Sequence, residues 1–195
     1  GYEAMKEYSV ANTYAQEALA GPEAHLFAVQ FGRGVEKMLD EKMTAEQRKE
    51  LKEGLKKAAE GFYKDFNADV DANLFGVLFK VYSDNVKEEF HPEIIRMINK
   101  KYKGDFKKFA ADLRAKSIFM DEAKLDAFLE KPNVKKMKQD PAYVAGLSFY
   151  ETYFKLGALM SEMQTAIGRG DRLFVRGLME MQPEKAWAPN ANSTI

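Results

Sequence analysis

Apolar residues recur every three or four positions along most of the chain, which is the spacing of an amphipathic α-helix. The sequence contains no Asn-Gly hairpin turn and no sustained alternation of apolar and polar residues, the two main signals of β-strands. Strong helix formers dominate nearly every window. The pattern therefore predicts an all-α fold, an elongated multi-helix bundle.

Several helix boundaries can be read from capping residues. Gly21 and Pro22 are expected to end a first helix over residues 2–20 and to open a second helix. Thr44 and Gln47 have the spacing of a capping box. The helix that follows them is predicted to bury one face, made of Leu51, Leu55, Ala58 and Phe62.

The second half of the chain has similar signals. Pro92 is expected to start a helix that Gly104 terminates, and Asp105 and Asp121 are expected to be the N-caps of two short helices. Asp140 followed by Pro141 is a further cap and first-turn pair.

A long spine helix is predicted from Pro141 to about Gln182. It would be about 60 Å long, with a kink expected near Gly168 and Gly170. Its apolar stripe consists of Phe149, Tyr153, Leu156, Met160, Met163, Ile167, Gly170, Phe174, Gly177 and Met181. We therefore expect a helical domain over residues 1–182, either undivided or as two packed sub-bundles, and an exit linker over residues 183–195.

Composition narrows the function classes. The 195 residues include 30 Lys and Arg against 30 Asp and Glu, so no bulk charge attracts nucleic acid or an anionic membrane. No apolar run is long enough for a membrane span. The absence of cysteine excludes disulfides, thiolate metal sites and cysteine nucleophiles.

Metal-binding patterns are incomplete. Glu88 and His91 form an E-x-x-H unit, but a di-iron bundle needs a second copy, and the other histidine, His25, has Pro22 three residues before it. We expect Glu88, Glu89 and His91 to lie at a solvated helix junction. No metal or cofactor is predicted.

Other short motifs also favour structural explanations. Asp69, Asp71 and Asn73 have the spacing of an EF-hand, but Leu74 and Lys80 replace its Gly and Glu, so a helix-capping turn is expected. Close helix packing best explains the glycines of "FGRG" at residues 31–34. The tripeptide Arg169-Gly170-Asp171 falls inside the helical stripe, and Asn192-Ser193-Thr194 is formally a glycosylation sequon.

No serine lies in a recognisable nucleophile turn and neither histidine has a local catalytic signature, so no catalytic residue is predicted. One hypothesis that the residues allow is a free-standing helical module that binds a partner helix in an apolar groove.

Three stretches resemble a known family: "KYKGDFKKFAADLRAKSIF" at residues 101–119, "GRGDRLFVRGLMEM" at 168–181 and "WAPNANSTI" at 187–195. They are similar to the helical domain of bacterial serine dipeptidyl-peptidases of the seven and eleven type. There are three mild departures from the family pattern. Gly170 stands where Ala is usual, Asn190 stands where Asp is usual, and Ala186 is an additional residue before Trp187.

The resemblance implies a chymotrypsin-like double β-barrel peptidase with an inserted helical domain. The catalytic His and Asp would precede this stretch and the Ser would follow it, so the resemblance assigns no catalytic residue here. It implies a lid or specificity domain of an exopeptidase that releases dipeptides from free N-termini, without activity of its own. It also implies a homodimer that is periplasmic, cell-surface or secreted in a bacterium.

Overall fold

The computed structural model describes the backbone of residues 1–181, with the side chains of residues 1–170 and of Arg172. In this part of the chain every regular element is a helix. The α-helices are α1 (Tyr2–Ala20), α2 (Ala24–Met38), α3 (Ala45–Tyr63), α4 (Ala68–Asn85), α5 (Glu93–Lys101), α6 (Phe106–Lys116), α7 (Glu122–Glu130), α8 (Val134–Lys138) and α9 (Pro141–Met181). Two 3-10 turns span Glu88–Phe90 and Ile118–Met120. The all-α prediction and the long C-terminal helix are confirmed.

The predicted caps form the expected hydrogen bonds. The Thr44 hydroxyl accepts from the Gln47 amide at 3.1 Å, and the Gln47 side chain accepts from the Thr44 amide at 3.0 Å. Asp105 and Asp121 cap α6 and α7 in the same way. These bonds satisfy amides that have no partner within their own helix, so short-range sequence is enough to set these boundaries.

The core lies where α9 packs along α1 and α2 and where α4 packs against α6. Aromatic rings fill much of it: Phe79 lies 4.7 Å from Phe149 between ring centroids, and Tyr82 lies 5.1 Å from the same ring. All three side chains are fully buried. Contacts of this kind fix the position of α9 relative to the first half of the chain.

Close approach of helices explains the glycines of α2. A Cβ atom at Gly32 would lie 2.7 Å from the Tyr143 ring, and one at Gly34 would lie 2.6 Å from Leu55. The packing interpretation of "FGRG" is therefore confirmed.

Three details differ from the sequence predictions. The second helix begins at Ala24, two residues after Pro22. On α3 the buried residues are Leu55 and Ala59, whereas Ala58 is exposed, because the buried face follows a step of four residues rather than three. Within residues 141–170 the stripe on α9 is fully buried only at Phe149 and Leu156, and its later members there are partly or fully exposed.

No helix within residues 1–181 combines the length and the apolar character that a bilayer crossing requires.

Candidate functional site

A cleft of about 390 Å³ lies between the start of α5 and the middle of α9. Its polar lining comes from both sides: Glu89, His91, Glu93 and Arg96 from the α5 side, and Ser148, Glu151, Thr152 and Lys155 from α9. Pro92 turns the chain from the 3-10 turn into α5 and so places these two groups opposite each other.

His91 is buried beside this cleft, with 7% of its surface exposed. Its Nε2 donates to the Val86 carbonyl at 2.7 Å, so the imidazole caps the end of α4. Its Nδ1 atom has no hydrogen-bond partner in the described structure. The expected solvated junction is thus wrong for His91, because the neighbouring helices cover the ring, although Glu88 and Glu89 are exposed.

Ser148 also borders the cleft and is buried. Its hydroxyl lies 3.4 Å from the Ile94 amide and 3.4 Å from the Ala145 carbonyl. Both distances are at the weak end of hydrogen bonding. No imidazole hydrogen-bonds to Ser148 in the described residues, so no base that would activate its hydroxyl is seen beside it there.

The charged residues of the cleft lack ion-pair partners. Each wall has a carboxylate and a cation: Glu93 with Arg96 on α5, and Glu151 with Lys155 on α9. Among the described residues, none of these four is within 4.0 Å of an opposite charge. Elsewhere on the surface the same four-residue spacing produces a pair in some cases, such as Lys80 with Asp84, and none in others, such as Glu53 and Lys57.

The other histidine, His25, is fully buried between α1 and α4. Its Nε2 donates to the Leu19 carbonyl at 2.8 Å, and its ring lies 5.1 Å from that of Phe75. Burial lowers the pKa of His25 from 6.5 to about 4, although the hydrogen bond to Leu19 acts in the opposite direction. Neither histidine belongs to a cluster of three or more metal-ligating side chains in the described part of the chain.

The EF-hand-like residues have separate roles. Asp71 is buried in α4 and accepts hydrogen bonds from the Glu23 and Ala24 amides at 2.6 and 3.1 Å, so it caps α2 rather than its own helix. Burial raises the pKa of its carboxyl. Asp69 is exposed and pairs with Arg114. The capping turn predicted for this stretch is wrong in place, because Asp69, Asp71 and Asn73 lie within α4, whose own N-cap is Asn67.

Asp140 links three segments. Its carboxylate accepts from the Ser117 hydroxyl at 2.7 Å and from the Ile118 and Ala142 amides at 2.9 Å. Burial raises the pKa of this carboxyl. The sequence predicted the cap on α9 but not Ser117, which is 23 residues away and had no recognisable signal.

The remaining sequence motifs add no site. Arg169 and Gly170 lie within α9, as the stripe predicted, and Arg172 donates to the Gly168 carbonyl at 3.1 Å. The sequon and the predicted linker over residues 183–195 lie outside the described residues.

Comparisons with known proteins identify the family of this chain. The peptidase S46 family profile matches residues 2–195. The Asp/Glu-specific dipeptidyl-peptidase of Porphyromonas gingivalis is 30% identical over 132 residues, which are 68% of this chain and 18% of that protein. Dipeptidyl-peptidase 7 of Phocaeicola vulgatus is 32% identical over 132 residues, with the same two shares.

The fold is also found in a solved structure. The crystal structure of Porphyromonas endodontalis DPP11 in complex with the dipeptide Arg-Glu has a TM-score of 0.64 and 20% identity, covering 98% of this chain and 27% of that one. The chain thus spans about a fifth of the length of the curated relatives it matches. With its profile match over residues 2–195, the chain belongs to the peptidase S46 family.

Proposed function

We propose that this chain is the helical lid or specificity domain of a serine-type dipeptidyl-peptidase that releases dipeptides from free N-termini. One observation carries the proposal: the family match covers residues 2–195, whereas the 132 residues aligned with a relative named as a dipeptidyl-peptidase are only 18% of that relative. Under this proposal the catalytic residues belong to the longer protein, and the chain alone is inactive.

The packing of the helices supports a lid that moves as one body. Buried aromatic side chains connect α4 with α9, and Asp140 ties the turn before α7 to the start of α9. Within residues 157–170 of α9 no side chain is fully buried, and the helix continues to Met181. A packed body with a long helix that is less covered over this part suits domain closure over a substrate.

The test is a dipeptidyl-substrate assay on this chain and on the longer chain expressed from the same gene. We expect dipeptide release from the longer chain only, with activity abolished by serine-directed inhibitors. A longer chain that folds yet releases no dipeptide from any substrate in the panel would contradict the proposal.

The resemblance also leads us to propose that the parent enzyme is exported and homodimeric. Cell fractionation of the source bacterium should find it in the periplasm, at the cell surface or in the medium. Light scattering of the longer chain should give twice the monomer mass. A cytoplasmic enzyme or a monomer would each refute one part of this proposal.

One surface feature favours the alternative, a free-standing module that binds a partner helix. Tyr150 and Phe154 are exposed by 37% and 55% on α9, with ring centroids 4.6 Å apart, and Arg33 lies over the Tyr150 ring. A module of this kind would bind amphipathic peptides, and Phe154→Ala would abolish the binding. A lid domain would show no such binding.

A further inference from the structure

We propose that the cleft between α5 and α9 binds a short zwitterionic peptide, its carboxylate held by Arg96 and Lys155 and its ammonium group by Glu93 and Glu151. The charges of the cleft select a ligand with both signs. That this ligand is a peptide rests on the proposed function, because dipeptides are the product of such an enzyme.

Opposite charges at helical spacing line each wall of the cleft. Glu151 and Lys155 are four residues apart on α9, and Glu93 and Arg96 are three apart on α5, spacings at which opposite charges on a helix are neighbours. Yet within the described residues all four lack an ion-pair partner closer than 4.0 Å. A ligand with one positive and one negative end could pair with charges on both walls.

The interior of the cleft points the same way. Ser148 makes only 3.4 Å hydrogen bonds, and the Nδ1 atom of His91 has no partner. Ser148 lines the cleft, so an amide or carbonyl group of a bound peptide can form a shorter hydrogen bond with its hydroxyl. The Nδ1 atom of His91 is inaccessible to solvent, as is the equally unpartnered Nδ1 of His25, so neither atom bonds a ligand directly.

The size of the cleft favours a small ligand. Its volume of about 390 Å³ is near the lower end of the range for small-molecule sites, roughly 300–1,000 Å³. The cleft is partly open to solvent, so a ligand can enter without unfolding of either helix.

The test uses the 195-residue chain and three ligands: Ala-Ala, its N-acetyl form and its C-terminal amide. The imidazole signals of the two histidines are followed by NMR, with His25 as the internal reference because it does not border the cleft. We expect saturable shifts at His91 with Ala-Ala at a Kd on the order of 1 mM, and binding about tenfold weaker for each blocked ligand.

Variants then assign each charge. Arg96→Gln and Lys155→Gln should weaken Ala-Ala binding about tenfold, yet change binding of the C-terminal amide little, since the amide has no carboxylate to lose. Glu151→Gln should show the reverse selectivity, affecting the amide and not the N-acetyl form. Lys57→Gln, an exposed lysine on α3 outside the cleft, is the matched control and should bind as the wild type does.

Three results would overturn the inference: no saturable shift at His91, equal affinity for the three ligands, or an equal effect of Lys57→Gln and Arg96→Gln. The activity of the longer chain is measured separately. If the longer chain is active but the 195-residue chain binds no dipeptide, only this inference is refuted. If the 195-residue chain binds the dipeptide but the longer chain is inactive, only the proposed function is refuted.

Discussion

The buried imidazole of His25 makes stability depend on pH in a defined window. In the unfolded chain the ring takes up a proton as the pH falls below 6.5, whereas in the folded chain its pKa is about 4. The unfolded state therefore binds more protons between these values, and stability falls as the pH falls. A pKa difference of this size lowers the free energy of unfolding by about 3 kcal/mol, and the full loss is reached below pH 4.

The perturbation is His25→Gln. A glutamine can still donate to the Leu19 carbonyl but does not titrate. We expect the substitution to cost about 1–2 kcal/mol at neutral pH through imperfect packing and hydrogen bonding. As the pH falls from 6.5 to about 4 the wild type loses stability faster, so the difference shrinks and then reverses in sign.

The assay is urea denaturation of both proteins across this pH range, together with NMR titration of the imidazole signals. The carboxyls of Asp71 and Asp140 have raised pKa values, so they oppose His25 by favouring the folded state as the pH falls. Both are present in each protein and largely cancel in the difference. Because Asp71 binds the Ala24 amide next to His25, the comparison is repeated in an Asp71→Asn background.

A stability difference between wild type and His25→Gln that stays constant from pH 7 to pH 4 would refute the reasoning. So would an NMR pKa for His25 close to 6.5, because the predicted slope comes entirely from the low pKa of the folded state.

Three further substitutions test the packing and the caps, each by urea denaturation at neutral pH. Gly146→Ala should destabilise by about 3 kcal/mol or fail to fold, since a Cβ there would lie 2.2 Å from the His25 carbonyl oxygen. Asp140→Asn should cost about 2 kcal/mol, because an amide cannot accept all three of the hydrogen bonds that the carboxylate accepts. Asp71→Ala should cost about 1–2 kcal/mol, because α2 would lose the cap that Asp71 provides. An unchanged stability in any of the three variants would contradict the corresponding contact.

Local features of this fold were predictable and contacts between distant segments were not. The Thr44 capping box and the Asp105 and Asp121 caps depend on residues three positions apart, so their partners are visible in the sequence. In contrast, Asp71 caps a helix 47 residues earlier, and no short-range pattern announces that partner. Burial of His91 depends in the same way on which helices cover it.

The candidate cleft likewise combines residues that the sequence singled out with contacts that only the fold reveals. The sequence drew attention to His91 through the E-x-x-H unit but gave no reason to pair it with Ser148, which is on a different helix. The charges of Glu151 and Lys155 look like an ordinary solvated helix pair until α5 is placed opposite them. A site made by α5 and α9, which α6, α7 and α8 separate along the chain, becomes visible only once the fold is known.

Exposed glycines in α9 allow one more test of the lid proposal. Gly157 directly follows the buried Leu156 on α9, and a Cβ there would meet no atom within 4 Å, so packing does not explain it. Glycine inside a helix costs roughly 0.5–1 kcal/mol relative to alanine and permits bending. Gly54 on α3 is equally unpacked and lies in a different helix, which makes it the matched control.

Both Gly157→Ala and Gly54→Ala should stabilise the chain by about 0.5–1 kcal/mol, because both positions are open and helical. If α9 bends as the domain closes, only Gly157→Ala should also lower the turnover of the longer enzyme, measured with a dipeptidyl substrate. Because both variants are expected to be more stable, a lower turnover of Gly157→Ala alone would reflect a slower conformational step and not a loss of folded protein. Equal turnover in the two variants would show that α9 does not bend at Gly157, and any lid motion would have to arise elsewhere in the chain.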